Sequence, residues 1–338
     1  MERNPCTVTV ICNNLVDPLF EGEDGPYFSY PRSLMRSMVG EHGLAYLVQV
    51  GDVNIVFDTG GIKRTFLNNI QAALLEGADI SWIVLSHGHH DHVSGLVPFL
   101  AVLKEKAGGT VPGVSCHPFA VKKRYQVTGK EQIILPIDPG DIPALLKRGA
   151  VKDHRGVNEA IIRKLGVNLE MTVDPLVVLE DGEAGITVKT TGEIPRIHEK
   201  VFYPATYVIE QDNVLVHDDF LDDQALIIEK RNEYAAVLLG CCHAGLENTV
   251  ARVQELTTLP IKVIIGGFHL TGLDQHIIEE KHAFLEKLAI EVDGKPGPAR
   301  LMLRPIHCSG ERFYLRLKTK GSDKLDVDRL PAGARFTP

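Results

Sequence analysis

The chain has 338 residues, 44% of them hydrophobic and 24% charged, which is the balance of a globular protein able to bury a sizeable core. A formal net charge of −8 argues against a general nucleic-acid or anionic-membrane binder, and no apolar run approaches the roughly 20 residues that span a bilayer. The opening MERNPCTVTVICNN lacks the basic stretch and apolar core of a signal peptide. The six cysteines (Cys6, Cys12, Cys116, Cys241, Cys242, Cys308) form no C-x-x-C pair, so reduced thiols and a cytoplasmic location are expected.

In chain order, CTVTVIC (Cys6–Cys12), GLAYLVQVG (Gly43–Gly51) and VNIVFDTGG (Val53–Gly61) are apolar runs closed by turn residues and are expected as strands. Ile62–Gly77 carries apolar residues at helical spacing and a glycine stop, which predicts a helix. ISWIVLS (Ile80–Ser86) is almost entirely apolar, the pattern of a buried strand, and runs straight into SHGHHDHVSG. A second helix is expected over VSGLVPFLAVLKEKAG. From about Pro118 to Gly182 the pattern is less regular, with a basic VKKRY, a punctuated LPIDPGDIP and a helical GVNEAIIRKLG. Recurrent apolar residues there mark an elaborated insertion, a candidate lid, within one domain spanning residues 1–338.

Strand patterns then return at GITVKTTG, at a hairpin around Gln211–Asn213 in ATYVIEQDNVLVHDD, at YAAVLLGCCH and at IKVIIGGFHL. Helices are expected at LENTVARVQELT and DQHIIEEKHAFLEKLA. The last strand signal is ARLMLRPIHCSG, with RFYLRLK after it.

Within SHGHHDHVSG, His87, His89, Asp91 and His92 form H-x-H-x-D-H. A short loop at a strand end aims alternate side chains at one point, so His87 and His89 can share a metal ion. Asp91 and His92, on the following turn, can face a second, while His90 faces away. Imidazole and carboxylate suit zinc, iron or manganese. A dinuclear site needs further ligands, again at strand ends: His243 in VLLGCCHAG and His307 in LRPIHCSG are favoured, and His269 in IIGGFHL is a ligand or a pocket residue. The cysteines beside them are expected as packing residues more than as thiolate ligands.

Asp58 in IVFDTG, the H-x-H-x-D-H loop and the late histidines resemble the metallo-β-lactamase superfamily. TGEIPR (Thr191–Arg196), DDQAL (Asp222–Leu226), GCCHAGLENTV (Gly240–Val250), GGFHL (Gly266–Leu270) and HCSG (His307–Gly310) narrow the resemblance to one branch, that of the dihydropterin–aminobenzene ribotide phosphate synthases. It extends over about residues 6–317 and is weakest across Pro118–Gly182. The resemblance implies an α/β protein built as a four-layer αββα sandwich, with two mixed sheets flanked by helices. It also implies a cleft at one sheet edge holding two divalent metal ions, zinc foremost, with iron or manganese as alternatives.

One departure stands out. No H-T-x-G-H segment supplies the usual third histidine, and TTGEIPR occupies that place, which makes Glu193 a candidate oxygen ligand or pocket carboxylate. His243 stands where the superfamily usually has a bridging aspartate. Asp58 is expected to orient a histidine more than to bind metal. Asp223 and Arg196 are candidate pocket residues, and Lys122, Lys123, Arg124 or Arg196 could hold a phosphate.

The implied chemistry is metal-dependent hydrolysis, or displacement at a phosphoester or pyrophosphate, on a small phosphorylated substrate, with Asp91 as the catalytic carboxylate. Two rivals remain: an iron-dependent oxidoreductase of the same fold, and a non-catalytic ligand-binding or sensor protein. The diiron flavoprotein form carries Glu where this chain has His89, which weakens the first. Nucleic acid and membrane are not expected as partners, and a homo-oligomer is left open.

Overall fold

Two large sheets stack face to face in the computed structural model, which describes residues 6–74, 78–106, 111–129, 133–154, 156–198, 201 and 206–338. The first sheet runs Phe28–Ser29, Arg335–Phe336, Cys6–Cys12, Ala45–Val50, Val53–Phe57, Trp82–Val84, Gly113–Cys116, Leu169–Met171. The second runs Val177–Asp181, Ile186–Thr190, Leu226–Lys230, Tyr234–Leu238, Ile261–Gly266, Leu301–Pro305, Leu325–Val327. Residues 75–77 and 107–108, the ends of two expected helices, and Ala205 in the expected hairpin lie outside the described residues.

The period-two alternation of the strands explains the layering. Val8 and Val10 point inward and meet Val48, Ile55, Val188, Ile228 and Val263 between the sheets, whereas Ile11 points outward. On that outer face lie the helices Lys63–Ala73 and Leu96–Lys106, which bury Phe66, Ile70, Phe99 and Leu100. The second sheet is covered by Leu246–Leu256, Gln275–Val292 and Glu311–Lys320. Leu246, Val250 and Val253 lie at helical spacing on the buried stripe of the first of these. The expected αββα sandwich is therefore present. No helix among the described residues is long and apolar enough to cross a membrane.

Strand direction places the functional turns. Val53–Phe57, Trp82–Val84 and Gly113–Cys116 are mutually parallel neighbours, so Asp58, the histidine loop and His117 emerge at one end of the first sheet. Tyr234–Leu238, Ile261–Gly266 and Leu301–Pro305 are parallel too, and deliver Cys241–His243, His269 and His307 together. Parallel strands bring residues distant in sequence to a common edge, which is why ligands gather there.

Three features differ from the sequence pattern or refine it. RFYLRLK lies in the helix Glu311–Lys320, and strands Leu325–Val327 and Arg335–Phe336 follow it. Those strands are three and two residues long, too short to show a period. Within 118–182, Arg124–Val127 and Val151–His154 join Tyr207–Gln211 and Val214–His217 in a third sheet, whereas Leu169–Met171 and Val177–Asp181 belong to the large sheets. The hairpin turns at Asp212 and Asn213, both left-handed (φ 51° and 62°), as a two-residue turn of this kind requires.

The third sheet is tied to the sandwich by a buried charge cluster. Arg124 donates from Nε to Asp218 (2.5 Å) and from Nη2 to Asp222 (2.7 Å), and Asp222 accepts the backbone N–H of Gly88 (2.7 Å). Arg124, a candidate for holding a phosphate, is thus engaged with two carboxylates. A Cβ at Gly88 would lie 2.3 Å from the Ala120 carbonyl oxygen and 2.4 Å from Arg124 Nη1, so only glycine permits this approach. Arg124→Met leaves two buried carboxylates without their counter-charge and should cost about 3–5 kcal/mol. Urea denaturation should show a lower midpoint with an unchanged slope.

Candidate metal centre

The site begins with Asp58, directly after the strand Val53–Phe57. Its N–H donates to Val84 O (2.9 Å), and its backbone is left-handed (φ 63°). Oδ1 accepts the Ser86 N–H (2.7 Å), while Oδ2 accepts the Ser86 hydroxyl (2.6 Å) and lies 2.7 Å from His92 Nδ1. The Ser86 hydroxyl proton points at Asp58, so its oxygen takes the Nδ1–H of His87 at 2.9 Å. His87 then carries its proton on Nδ1 and presents a bare Nε2, while His92 directs its Nδ1–H at Asp58. Among the described residues, His87 Nε2 is buried with no hydrogen-bond partner, and so is His89 Nε2. An orphaned buried acceptor is costly in an ordinary core, whereas a metal ligand has this form.

Nitrogens of three histidines converge. His87, His89 and His243 form one group with ligand atoms within 4.8 Å of one another, and His89 Nδ1 lies 3.2 Å from His243 Nε2. Asp91, His92, Cys241 and His307 form a second. There, His92 Nε2 is 3.1 Å from Cys241 Sγ and 3.2 Å from His307 Nε2, and Asp91 Oδ2 is 3.4 Å from His307 Nε2. Cys241, His269 and Cys308 form a third, which shares Cys241. The turn carrying Cys241 packs closely on Ser86, because a Cβ at Gly240 would lie 2.2 Å from the Ser86 hydroxyl oxygen. His307 is held from the other end of the chain: Asn13 Oδ1 accepts its N–H (3.2 Å), and Asn14 Nδ2 donates to its carbonyl (3.0 Å).

Comparison with known proteins bears on the family and the fold. The sequence model of the metallo-beta-lactamase superfamily matches residues 38–223. The chain belongs to the metallo-β-lactamase superfamily. It is similar to an uncharacterized protein of Methanocaldococcus jannaschii, 24% identical over 284 residues, covering 83% of this chain and 89% of the relative. The 7,8-dihydropterin-6-methyl-4-(beta-D-ribofuranosyl)-aminobenzene-5'-phosphate synthase of the same organism is 25% identical over 305 residues, covering 87% and 88%. The crystal structure of Tm1679, described as a metal-dependent hydrolase of the β-lactamase superfamily, shares the fold with a TM-score of 0.63 at 20% identity and 98% coverage of both chains.

In this metallo-β-lactamase fold the two main groups differ electrostatically. Burial pushes His87, His89 and His243 well below the usual histidine range, reinforced by the neighbouring imidazoles or by Arg124, so the first group is neutral imidazole. Burial also works against the charges of the second group. The adjacent His92 and His307 nevertheless hold Asp91 well below the usual carboxylate range, and Asp91 and Asp58 push His92 up to about 9. Burial and the neighbouring Cys308 push the Cys241 thiol up.

The remaining sequence candidates take other places. Glu193 lies outside the three ligand groups: its side chain is 42% exposed, and its Oε2 accepts from His117 Nε2 at 3.1 Å. His243, not Glu193, completes the triangle with His87 and His89. His269 packs against the His243 ring (4.3 Å between centroids). Arg196 donates to the Phe220 carbonyl (2.5 Å), and Asp223 Oδ2 accepts the Ala244 N–H (2.9 Å) behind His243. Cys241, expected as a packing residue, stands in the second and third groups, and its place beside His243 after a strand was a usable signal. Ser86 and Asp222 were also not singled out as supports of the loop, since a serine and a turn carboxylate carry no spacing signature.

Two outcomes follow. Asp58→Ala should lower zinc affinity by about 10- to 100-fold, read by competition with a chromophoric chelator, with the circular dichroism of the fold kept. Burial pushes the Asp223 carboxyl up to about 7, against an unfolded value of about 4. Between those values the unfolded chain ionises first, so stability falls as pH rises through the window. The metal-free Asp223→Asn chain should lose less stability across it than the parent.

Proposed function

We propose that the chain is a metal-dependent enzyme with a dinuclear centre. It hydrolyses, or displaces a group from, a phosphoester or pyrophosphate of a small substrate. The observation that carries this is the pair of buried donor sets, His87–His89–His243 and Asp91–His92–Cys241–His307, with imidazole tautomers set by Asp58 and Ser86. Imidazole with one thiol suits zinc best, and iron next. Two divalent ions held this way supply Lewis acidity toward water and phosphoryl oxygens.

The chain's own residues do the rest. Asp91 turns Oδ2 toward His92 and His307, and its carboxylate would accept a hydrogen bond from the attacking nucleophile and align it. Asp58 keeps His92 in one orientation, and the aromatic rings of Tyr207 and Phe220 exclude water beside His89 and His243. The similarity to the M. jannaschii synthase makes a phosphorylated, pterin-like substrate the first to assay. An iron-dependent oxidoreductase is the second reading, and Cys241 in the second group is what favours it.

Metal analysis of the purified protein should find two ions per chain, zinc in preference to iron. His87→Ala should lose at least one ion while keeping its fold and should lose phosphoester or pyrophosphate turnover. Unchanged metal content in that variant would sink the reading. Bound iron with oxygen consumption would replace it with the oxidoreductase.

A further inference from the structure

The two donor sets are covered unequally. Beside the first, Phe220 stacks on His243 (4.5 Å, 14°), Tyr207 tilts over His89 (5.4 Å), and His154 packs edge-on against His89 (5.0 Å). The third sheet and the segment after it thus close that side with rings. The second set has a different neighbour. His42 stacks on the His307 ring with centroids 4.8 Å apart and 23° between planes, and its side chain is 65% exposed. The ligands beneath are not: the Asp91 side chain is 12% exposed and that of His307 is fully buried.

The loop under His42 is rigidly held. Glu41 accepts the N–H groups of Gly61 (3.0 Å) and Ile62 (2.8 Å) on its two carboxylate oxygens. Its own N–H donates to Asn13 O (3.1 Å), and on the other side of His42 the Leu44 N–H donates to Asp91 O (3.2 Å). The ring is therefore placed by the same segments that place Asp91 and His307. Its Nε2 lies 3.6 Å from Asp91 Oδ2, too far for a hydrogen bond, so that contact does not occupy its edge. His90 flanks the other Asp91 oxygen at 3.8 Å, with 53% of its side chain exposed.

We propose that His42 is a substrate-binding residue, whose exposed imidazole donates a hydrogen bond to a phosphate oxygen of the substrate docked against the Asp91–His92–Cys241–His307 set. This rests on the dinuclear, phosphate-directed reading above. It adds the direction of approach: the substrate enters over His42, not through the aromatic wall. His42 is a side chain that a phosphate can reach without displacing a ligand, and its stack on His307 fixes the donor in advance.

Inorganic phosphate is the probe, titrated calorimetrically into zinc-loaded protein. His42→Ala should weaken phosphate binding by about tenfold or more, the effect of losing one hydrogen bond to a charged group, with zinc content and circular dichroism unchanged. His42→Gln, which keeps a donor, should recover part of the affinity. Equal phosphate affinity in parent and His42→Ala overturns the proposal. So does a zinc-loaded parent that binds no phosphate, or the loss of a zinc ion on His42→Ala, which would make His42 a ligand. A parent that takes up no zinc fails the dinuclear reading itself, and this proposal with it.

Discussion

The buried carboxylate of Asp58 gathers the Ser86 N–H, the Ser86 hydroxyl and the His92 imidazole, and through Ser86 it also sets His87. Two imidazoles from the histidine loop are thereby turned by one acid that need not touch an ion. The acid can do so only because its backbone adopts a left-handed conformation that aspartate tolerates better than most residues. Phe220, Cys242, His269 and His307 share that conformation at the same edge. Such backbone persists where the surrounding structure over-determines it, and here the parallel strands of both sheets supply the constraint.

The contrast between the donor sets follows from where their charges lie. The first set is neutral imidazole in a buried place, ready to bind without losing protons. The second contains a carboxylate that, in the metal-free chain, is balanced by protonation of His92. A cation bound there would take over the role of that proton, so its loading would be coupled to proton release and would weaken as pH falls.

Much of this was legible in the residues. The histidine loop is contiguous, and its ligands follow a buried strand, so local spacing alone brought His87, His89, Asp91 and His92 together. His243 and His307 were visible as histidines just beyond strands. What order along the chain could not say is which strand end lies opposite which. Glu193 follows a strand at the position where a third histidine was wanted, yet its turn reaches His117 instead. His243 follows a strand that runs parallel to Ile261–Gly266, and that direction carries it to His87. The Arg124 cluster was invisible for a related reason: a basic run such as VKKR looks solvated until the two partner aspartates, some ninety residues later, are placed beside it.

The pair Asn13 and Asn14, which grip the backbone of His307, have a consequence for biosynthesis. They leave the ribosome early, and the ligand they position leaves it late. The first half of the chain already carries His87, His89, Asp91 and His92, four candidate ligands made before the residues that complete either donor set. The second donor set can therefore be completed only when the strand Leu301–Pro305 has docked, and until then the histidine loop stands open to whichever metal the nascent chain meets.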